Sequence, residues 1–335
     1  MRYRRLGDTQ LEVSEVGFGT WTLASDWWGT VDDEQGLLHA ALGAGINFID
    51  TAPVYGDGGV GETLLADVLA SERDEIVLTT KCGYDIAAER PGGQRERPQD
   101  WSPRGVREQL EGSLRRLGTD YIDLYQLHNA RLDALESDDL WAELETFRSE
   151  GKILEIGVAL GPAIGWVEDG LYALRERPVA TLQTVFNVLE QEPGLTFAAE
   201  PVVADGGCSM ISRVPHASDT LSGKVTPDTR FPKGDHRAHR NRDNMLDNFE
   251  KAETLSFLWA PETGRTIGQA AIAGILANPA FATVLPTVID AGEVKEFAAA
   301  PDFPLSADEK AELDGLWSRN FDHEDRFEMP MKVSR

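Results

Sequence analysis

Cysteine is nearly absent from this chain of 335 residues. Cys82 and Cys208 are the only two, too few for a disulfide framework, and both follow strand-like runs, as buried reduced thiols do. No apolar stretch approaches the ~18 residues a membrane-spanning helix requires. The opening Met1-Arg-Tyr-Arg-Arg-Leu-Gly lacks the hydrophobic segment of a secretory signal, so a cytoplasmic protein without a membrane partner is expected. Lysine is scarce, eight residues against 24 arginines, while 57 carboxylates leave a net charge of -25. Such an excess repels DNA and anionic membranes, and nothing suggests a nucleic-acid footprint. Acidic surfaces poor in lysine suit a salt-rich cytoplasm, where screening removes much of the self-repulsion. A halophilic source is therefore one expectation, and an acidic mesophilic protein from a GC-rich genome the other. A doubly wound sheet is disfavoured by another absence: Gly17-Phe-Gly19 lacks the third glycine and the acidic partner of a dinucleotide fingerprint.

What is present is a repeat. Short apolar runs alternate with amphipathic helix patterns, with no linker or low-complexity tract between them. Strands are predicted at Glu15–Thr20, Ile46–Asp50, Ile76–Lys81, Ile122–His128, Ile153–Val158, Thr181–Phe186, Ser209–Arg213 and Thr283–Pro286. Helices are predicted at Asp33–Gly43, Gly61–Ser71, Pro103–Leu117, Asp138–Glu150, Ala163–Arg175 and Ala307–Trp317. Ser102 serves as N-cap of the third helix, with Pro103 at its first position. Eight βα units and an apolar content of 41% suffice for one α/β barrel, a (β/α)8 TIM barrel filling residues 1–335 as a single domain. Tyr3–Leu6 and Leu11–Ser14 form an N-terminal hairpin that could plug the barrel. Two segments lie outside the repeat: a polar, lid-like loop at 214–250, and a C-terminal tail at 319–335 whose Asp322–Arg326 stretch reads as solvated.

Three successive strand candidates finish on, or lead to, reactive groups. Ile46–Asp50 ends on a carboxylate and leads to Tyr55; Ile76–Lys81 ends on an ammonium; Ile122–His128 ends on an imidazole. In a parallel barrel these ends converge on one face, where the βα loops build the active site. Taken singly, each has a structural explanation: a turn-forming Asp, a half-buried Tyr, a rim Lys, a core His. Together they suit carbonyl reduction. A phenol with a pKa near 10 is a poor acid at neutral pH, but a nearby ammonium lowers that pKa, and a carboxylate holds the ammonium charged. Asp50, Lys81 and Tyr55 could thus make a tuned general acid, with His128 donating a hydrogen bond to the substrate oxygen.

Gly45-Ile-Asn-Phe-Ile-Asp50-Thr-Ala-Pro-Val-Tyr55-Gly, then Gly61-Glu-Thr-Leu-Leu, resembles the aldo-keto reductase signature. So do Ile76-Val-Leu-Thr-Thr-Lys81 and Ser113-Leu-Arg-Arg-Leu-Gly-Thr-Asp-Tyr-Ile-Asp-Leu-Tyr-Gln-Leu-His128. The resemblance runs from the hairpin to about residue 318 and implies a (β/α)8 barrel, a small carbonyl or alcohol substrate, and a nicotinamide cofactor. It implies Tyr55 as proton donor, supported by Lys81 and Asp50, with His128 orienting the carbonyl. It also implies Thr20 and Trp21 beside the nicotinamide, Gln183 on its carboxamide, and Ser218 and Lys224 in a strap over the pyrophosphate.

The cofactor positions depart from the family pattern. Where the family carries a Ser-Asn pair after the fifth barrel strand, this chain has Ala159-Leu160, and where an aromatic stacks on the ring it has Arg213; a guanidinium can also stack on a planar ring. The family implies NADP(H). After Pro286, however, Glu293 stands in place of a basic residue, and Asp290 or Glu293 would repel a 2′-phosphate while accepting from a free 2′-hydroxyl. Lys295 is the only nearby cation in sequence, so NAD(H) or dual use is expected from the residues. His236 and His239 are spaced for a metal ligand pair but lack further ligands, so no metal is expected. Arg237, Arg240 and Arg242 are expected to pair with surface carboxylates as part of the lid, or to attract an anionic substrate across an otherwise negative surface. Two rival readings remain: a cofactor-binding regulatory protein like the potassium-channel β subunits, and a lyase or aldolase using Lys81 as a Schiff-base nucleophile.

Overall fold

Residues 1–89 and 96–334 are described by a computed structural model. The chain opens with an antiparallel hairpin of β1 (Tyr3–Arg5) and β2 (Glu12–Ser14). Eight strands follow: β3 (Phe18–Gly19), β4 (Phe48–Asp50), β5 (Val77–Cys82), β6 (Ile122–His128), β7 (Ile153–Ala159), β8 (Thr181–Val185), β9 (Ser209–Arg213) and β10 (Phe281–Leu285). They pair in chain order, every pair parallel. A parallel bridge between Val16 and Val284 closes the ring, with Gly17 N donating to Val284 O at 2.9 Å and Val284 N to Glu15 O at 3.0 Å. The expected (β/α)8 barrel is present.

The period of two along each strand divides the residues between two environments. In β6, Tyr125 and Leu127 point outward into the layer shared with the helices, which includes Leu110, Leu144 and Phe147. Leu124 points inward, where Leu6 and Val13 of the hairpin region pack with Phe48, Val77, Ile211 and Ala282 to fill the barrel's N-terminal end. The hairpin is thus a plug. Arg4 fixes it, donating to Phe281 O and Leu276 O, both at 2.8 Å. The helix Pro103–Leu117 starts as expected, with Ser102 Oγ accepting from Gly105 N at 3.1 Å, and ends on left-handed Gly118. Such an N-cap contributes about 1 kcal/mol.

Differences from the sequence expectations fall where local patterning is weak. The helix expected over Gly61–Ser71 divides into Val60–Thr63 and Ala66–Glu72. The 214–250 segment is not all loop: Asn241 caps a helix at Arg242–Thr254. Ile267–Leu276 forms a helix the sequence reading passed over, nearly all of it buried; an element apolar on every side shows no 3.6-residue period. These additions share a second core of Val188, Leu221, Leu255, Leu258, Ala271, Leu313 and Phe321.

The tail makes contacts that its sequence does not announce. Arg326 donates to Asp247 at 2.7 Å and to Glu250 at 2.5 Å. Further on, Lys332 bridges to Gly165, with Trp166 N donating to Lys332 O at 2.7 Å. Gly165 is required there, because a Cβ would sit 2.2 Å from Lys332 N. The stretch read as solvated is largely exposed, as expected, but it is also tied down by ion pairs and backbone bonds that link positions remote in sequence.

Candidate active site

The parallel register places Asp50, Lys81 and His128 at the C-terminal ends of β4, β5 and β6. Lys81 is fully buried. Its Nζ donates to Asp50 Oδ1 at 2.5 Å, to Thr51 O at 2.8 Å and to Tyr55 Oη at 3.2 Å. Three acceptors match the three hydrogens of an ammonium, which makes a charged lysine tolerable at a fully buried position. The second oxygen of Asp50 accepts from Gln183 Nε2 at 2.9 Å and Gln126 Nε2 at 3.3 Å. The Tyr55 and His128 rings meet edge to face, centroids 6.1 Å apart. All four residues expected to act together do come together.

Burial and charge set the protonation states. Burial raises the Tyr55 pKa above 10.0, outweighing the Lys81 ammonium that pulls it down. The ammonium lowers this phenol's pKa as expected, but burial outweighs it, so Tyr55 is a neutral phenol at physiological pH. Burial opposes charge on Lys81, yet Asp50 and Tyr55 together raise its pKa above 10.5. His128 is pushed well below 6.5 by burial, then by the Lys81 and Arg213 charges, so its imidazole is neutral.

Sequence reasoning missed Gln126 and Tyr84. Gln126 was accessible through alternation, since it lies two residues before His128 on the same barrel face. Tyr84 sits just beyond β5, its ring edge-to-face on His128 at 5.1 Å, and its hydroxyl accepts from Asn129 Nδ2 at 2.5 Å and donates to Glu96. It fixes the imidazole plane.

Above these groups opens a cavity of about 310 Å³. Trp21, Gln183, Arg213 and Ser218 line it together with Asp50, Tyr55 and His128. Thr20, expected beside the nicotinamide, does not: it is fully buried, with its hydroxyl 2.7 Å from Thr51 Oγ1. Lys224 and Glu293 also stand outside the lining, joined in an ion pair, with Asp290 3.5 Å from the same ammonium. Arg213 reaches back to Leu160 O at 2.5 Å and to Gly161 O, while its Nε has no partner. The guanidinium thus holds the loop after β7, where Ala159 and Leu160 offer no polar side chains.

The lid folds down on the first βα loop. Ala217, Ser218 and Asp219 all have positive φ, a conformation that costs each non-glycine residue about 1–2 kcal/mol. That turn aims Asp219 inward, where it accepts from Trp28 Nε1 at 3.0 Å and from Arg237. Arg237 also forks onto Asp235, and His236 N donates to Trp27 O at 2.7 Å. His236 stacks on Trp27 and meets Trp21 edge-on at 5.8 Å, completing an aromatic wall. Arg237 pairs with buried carboxylates rather than surface ones, and Arg242 binds backbone carbonyls. Among the described residues, the group of three with metal-ligand spacing is Asp247, His323 and Asp325. Arg326 and Lys251 already neutralise its carboxylates, each at 2.7 Å.

The sequence model of the Aldo/keto reductase family matches residues 15–318. The chain belongs to this family. Among aldo/keto reductase relatives, it is 31% identical to an NADH-specific methylglyoxal reductase of Escherichia coli, over 90% of this chain and 94% of the relative. It is 29% identical to a probable voltage-gated potassium channel subunit beta of Oryza sativa, over 90% of this chain and 92% of that one. Among solved structures, the glycerol dehydrogenase AKR11B4 of Gluconobacter oxydans superposes with a TM-score of 0.80 at 26% identity, covering 98% of this chain and 99% of that one. The aldo/keto reductase barrel is therefore shared with a glycerol dehydrogenase.

Proposed function

We propose that the chain interconverts a small carbonyl compound and its alcohol, with a nicotinamide cofactor as hydride carrier and Tyr55 as proton donor. One observation carries this reading: the buried Lys81 ammonium sits between the Asp50 carboxylate at 2.5 Å and the Tyr55 hydroxyl at 3.2 Å, and both of these partners line a cavity. The lining suits such a cofactor. Trp21 and the Arg213 guanidinium offer flat faces, Arg213 Nε is a buried donor without a partner, and Ser218 adds a hydroxyl. When bound, the nicotinamide supplies or accepts the hydride.

The chain's own groups do the rest. His128, neutral, donates a hydrogen bond to the carbonyl oxygen and orients it toward Tyr55. The Tyr55 hydroxyl gives its proton to that oxygen as negative charge develops there. The phenolate left behind lies 3.2 Å from the Lys81 ammonium, which stabilises it, and Asp50 keeps the ammonium in position. In the oxidative direction the same phenolate takes the proton from the alcohol. A Schiff-base role for Lys81 is disfavoured, because its pKa is raised and a nucleophilic amine must be neutral. The regulatory reading draws on the potassium-channel relative and on Ala159-Leu160; the complete tetrad opposes it. The deciding experiment follows NADH and NADPH oxidation with a panel of aldehydes, ketones and aldoses. Absence of turnover with every pair, with cofactor binding intact, would favour the regulatory reading.

For the cofactor, the residues favour NADH. Glu293 and Asp290 flank Lys224, so the cation nearest the adenosine end is already neutralised. We expect kcat/KM with NADH to equal or exceed that with NADPH. Glu293→Gln removes one carboxylate yet keeps an acceptor for Ile289 N, at 2.7 Å in the native protein. It is expected to raise the NADPH/NADH ratio about tenfold, equivalent to ~1.4 kcal/mol. A hundredfold NADPH preference in the native protein would overturn the electrostatic argument.

A further inference from the structure

We infer that Arg240 is a specificity residue, and that the carbonyl substrates this site prefers carry an anionic group, a carboxylate or a phosphate. The inference rests on the reductase reading above and extends it to substrate class. Its starting point is charge accounting within the cavity. Two carboxylates line the cavity, Asp50 and Asp219. The first is paired with Lys81, and the second shares Arg237 with Asp235, which lies outside the lining. Two guanidiniums also line it, Arg213 and Arg240, and among the described residues neither makes an ion pair with a carboxylate. The cavity therefore carries an excess of positive charge in a chain whose net charge is -25.

Position strengthens the case. Arg240 follows the short turn His236–His239, and that turn is clamped to the first βα loop by His236 N on Trp27 O and by Arg237 on Asp219. The clamp holds Arg240 in the lid against the cavity, its Nε buried and without a partner. His236 beside it also has a buried ring nitrogen, Nδ1, without a partner. Its pKa is lowered by burial and then by Arg240 and His239, so its imidazole is neutral and can donate one N–H. A fork of guanidinium donors with an adjacent imidazole, backed by Trp21, Trp27 and Trp28, suits a short chain with an anionic end. A guanidinium binds carboxylate and phosphate through the same planar donors. Low-dielectric aromatic walls strengthen that attraction, and the negative outer surface leaves the cavity as the local attractor for anions.

The test compares substrates of matched length, 4-oxobutanoate against butanal and glyceraldehyde 3-phosphate against glyceraldehyde, in the native protein and in Arg240→Gln and Arg240→Lys. We expect kcat/KM to favour the charged member of at least one pair tenfold or more, the two pairs separating carboxylate from phosphate. Arg240→Gln is expected to cut that ratio at least tenfold, Arg240→Lys to keep part of it, and added KCl to lower it in the native protein. A ratio near one in the native protein, or one unchanged in Arg240→Gln, overturns the inference while leaving the reductase reading intact. A second readout needs no turnover: quenching of tryptophan fluorescence by succinate and by inorganic phosphate. At least one of them should bind the native protein, with Kd raised fivefold or more in Arg240→Gln. Such binding without turnover of any carbonyl would remove the reductase reading and leave the anion site. If Arg240→Gln weakens NADH binding more than anion binding, the arginine serves the cofactor and the inference is wrong.

Discussion

Replacing Tyr55 by Phe is expected to lower kcat for carbonyl reduction by about 10²–10⁴-fold, the usual range for loss of a positioned general acid. The substitution removes one oxygen and keeps the ring, so packing against His128 survives. What is lost is the hydroxyl next to Lys81 Nζ at 3.2 Å. The pH profile gives a sharper check. Reduction needs the protonated phenol, and burial raises the Tyr55 pKa above 10.0, so the rate should hold through neutral pH and fall only in the alkaline range. Alcohol oxidation needs the phenolate and should rise over that same alkaline range. His128 is held well below 6.5, so no limb near pH 6.5 is expected in either direction. An acid limb at that pH which disappears in His128→Gln would show that imidazole protonation controls the rate, and would defeat this assignment.

The barrel was legible because parallel strands covered on both faces are continuous apolar runs, and because polar residues at their ends mark where the strands emerge. The tetrad came with them: once strands ending in Asp50, Lys81 and His128 share one sheet, their ends share one face. Three things were not legible. Burial around Tyr55 decides the sign of its pKa shift, and one chain read along its length does not reveal solvent access. The Lys224–Glu293 pair and the Arg326–Asp247 contact join segments that carry no pattern relating them. Thr20 lies one position before Trp21, and the tight turn there directs its hydroxyl to Thr51 and the indole to the cavity. A one-residue change in direction of that kind is set by tertiary packing.

Lys81→Met should damage activity and stability together, and the two losses should separate in a double variant. Removing the ammonium leaves Asp50, 2% exposed, without its counter-ion. Breaking one side of a buried pair costs about 3–5 kcal/mol; the Gln126 and Gln183 donors to Asp50 Oδ2 place the expectation at the lower end. Activity falls for a different reason. Without the ammonium only the weaker Arg213 charge offsets the burial that raises the Tyr55 pKa, so the phenol becomes a weaker acid and the alkaline limb of alcohol oxidation moves to higher pH. Asp50→Asn combined with Lys81→Met removes both charges, and should recover most of the urea midpoint lost in the single variant. It should recover little of kcat, because the group that stabilises the phenolate is still missing. Full recovery of turnover in the double variant would mean that Lys81 serves the fold alone, and that Tyr55 transfers its proton without help from a neighbouring charge.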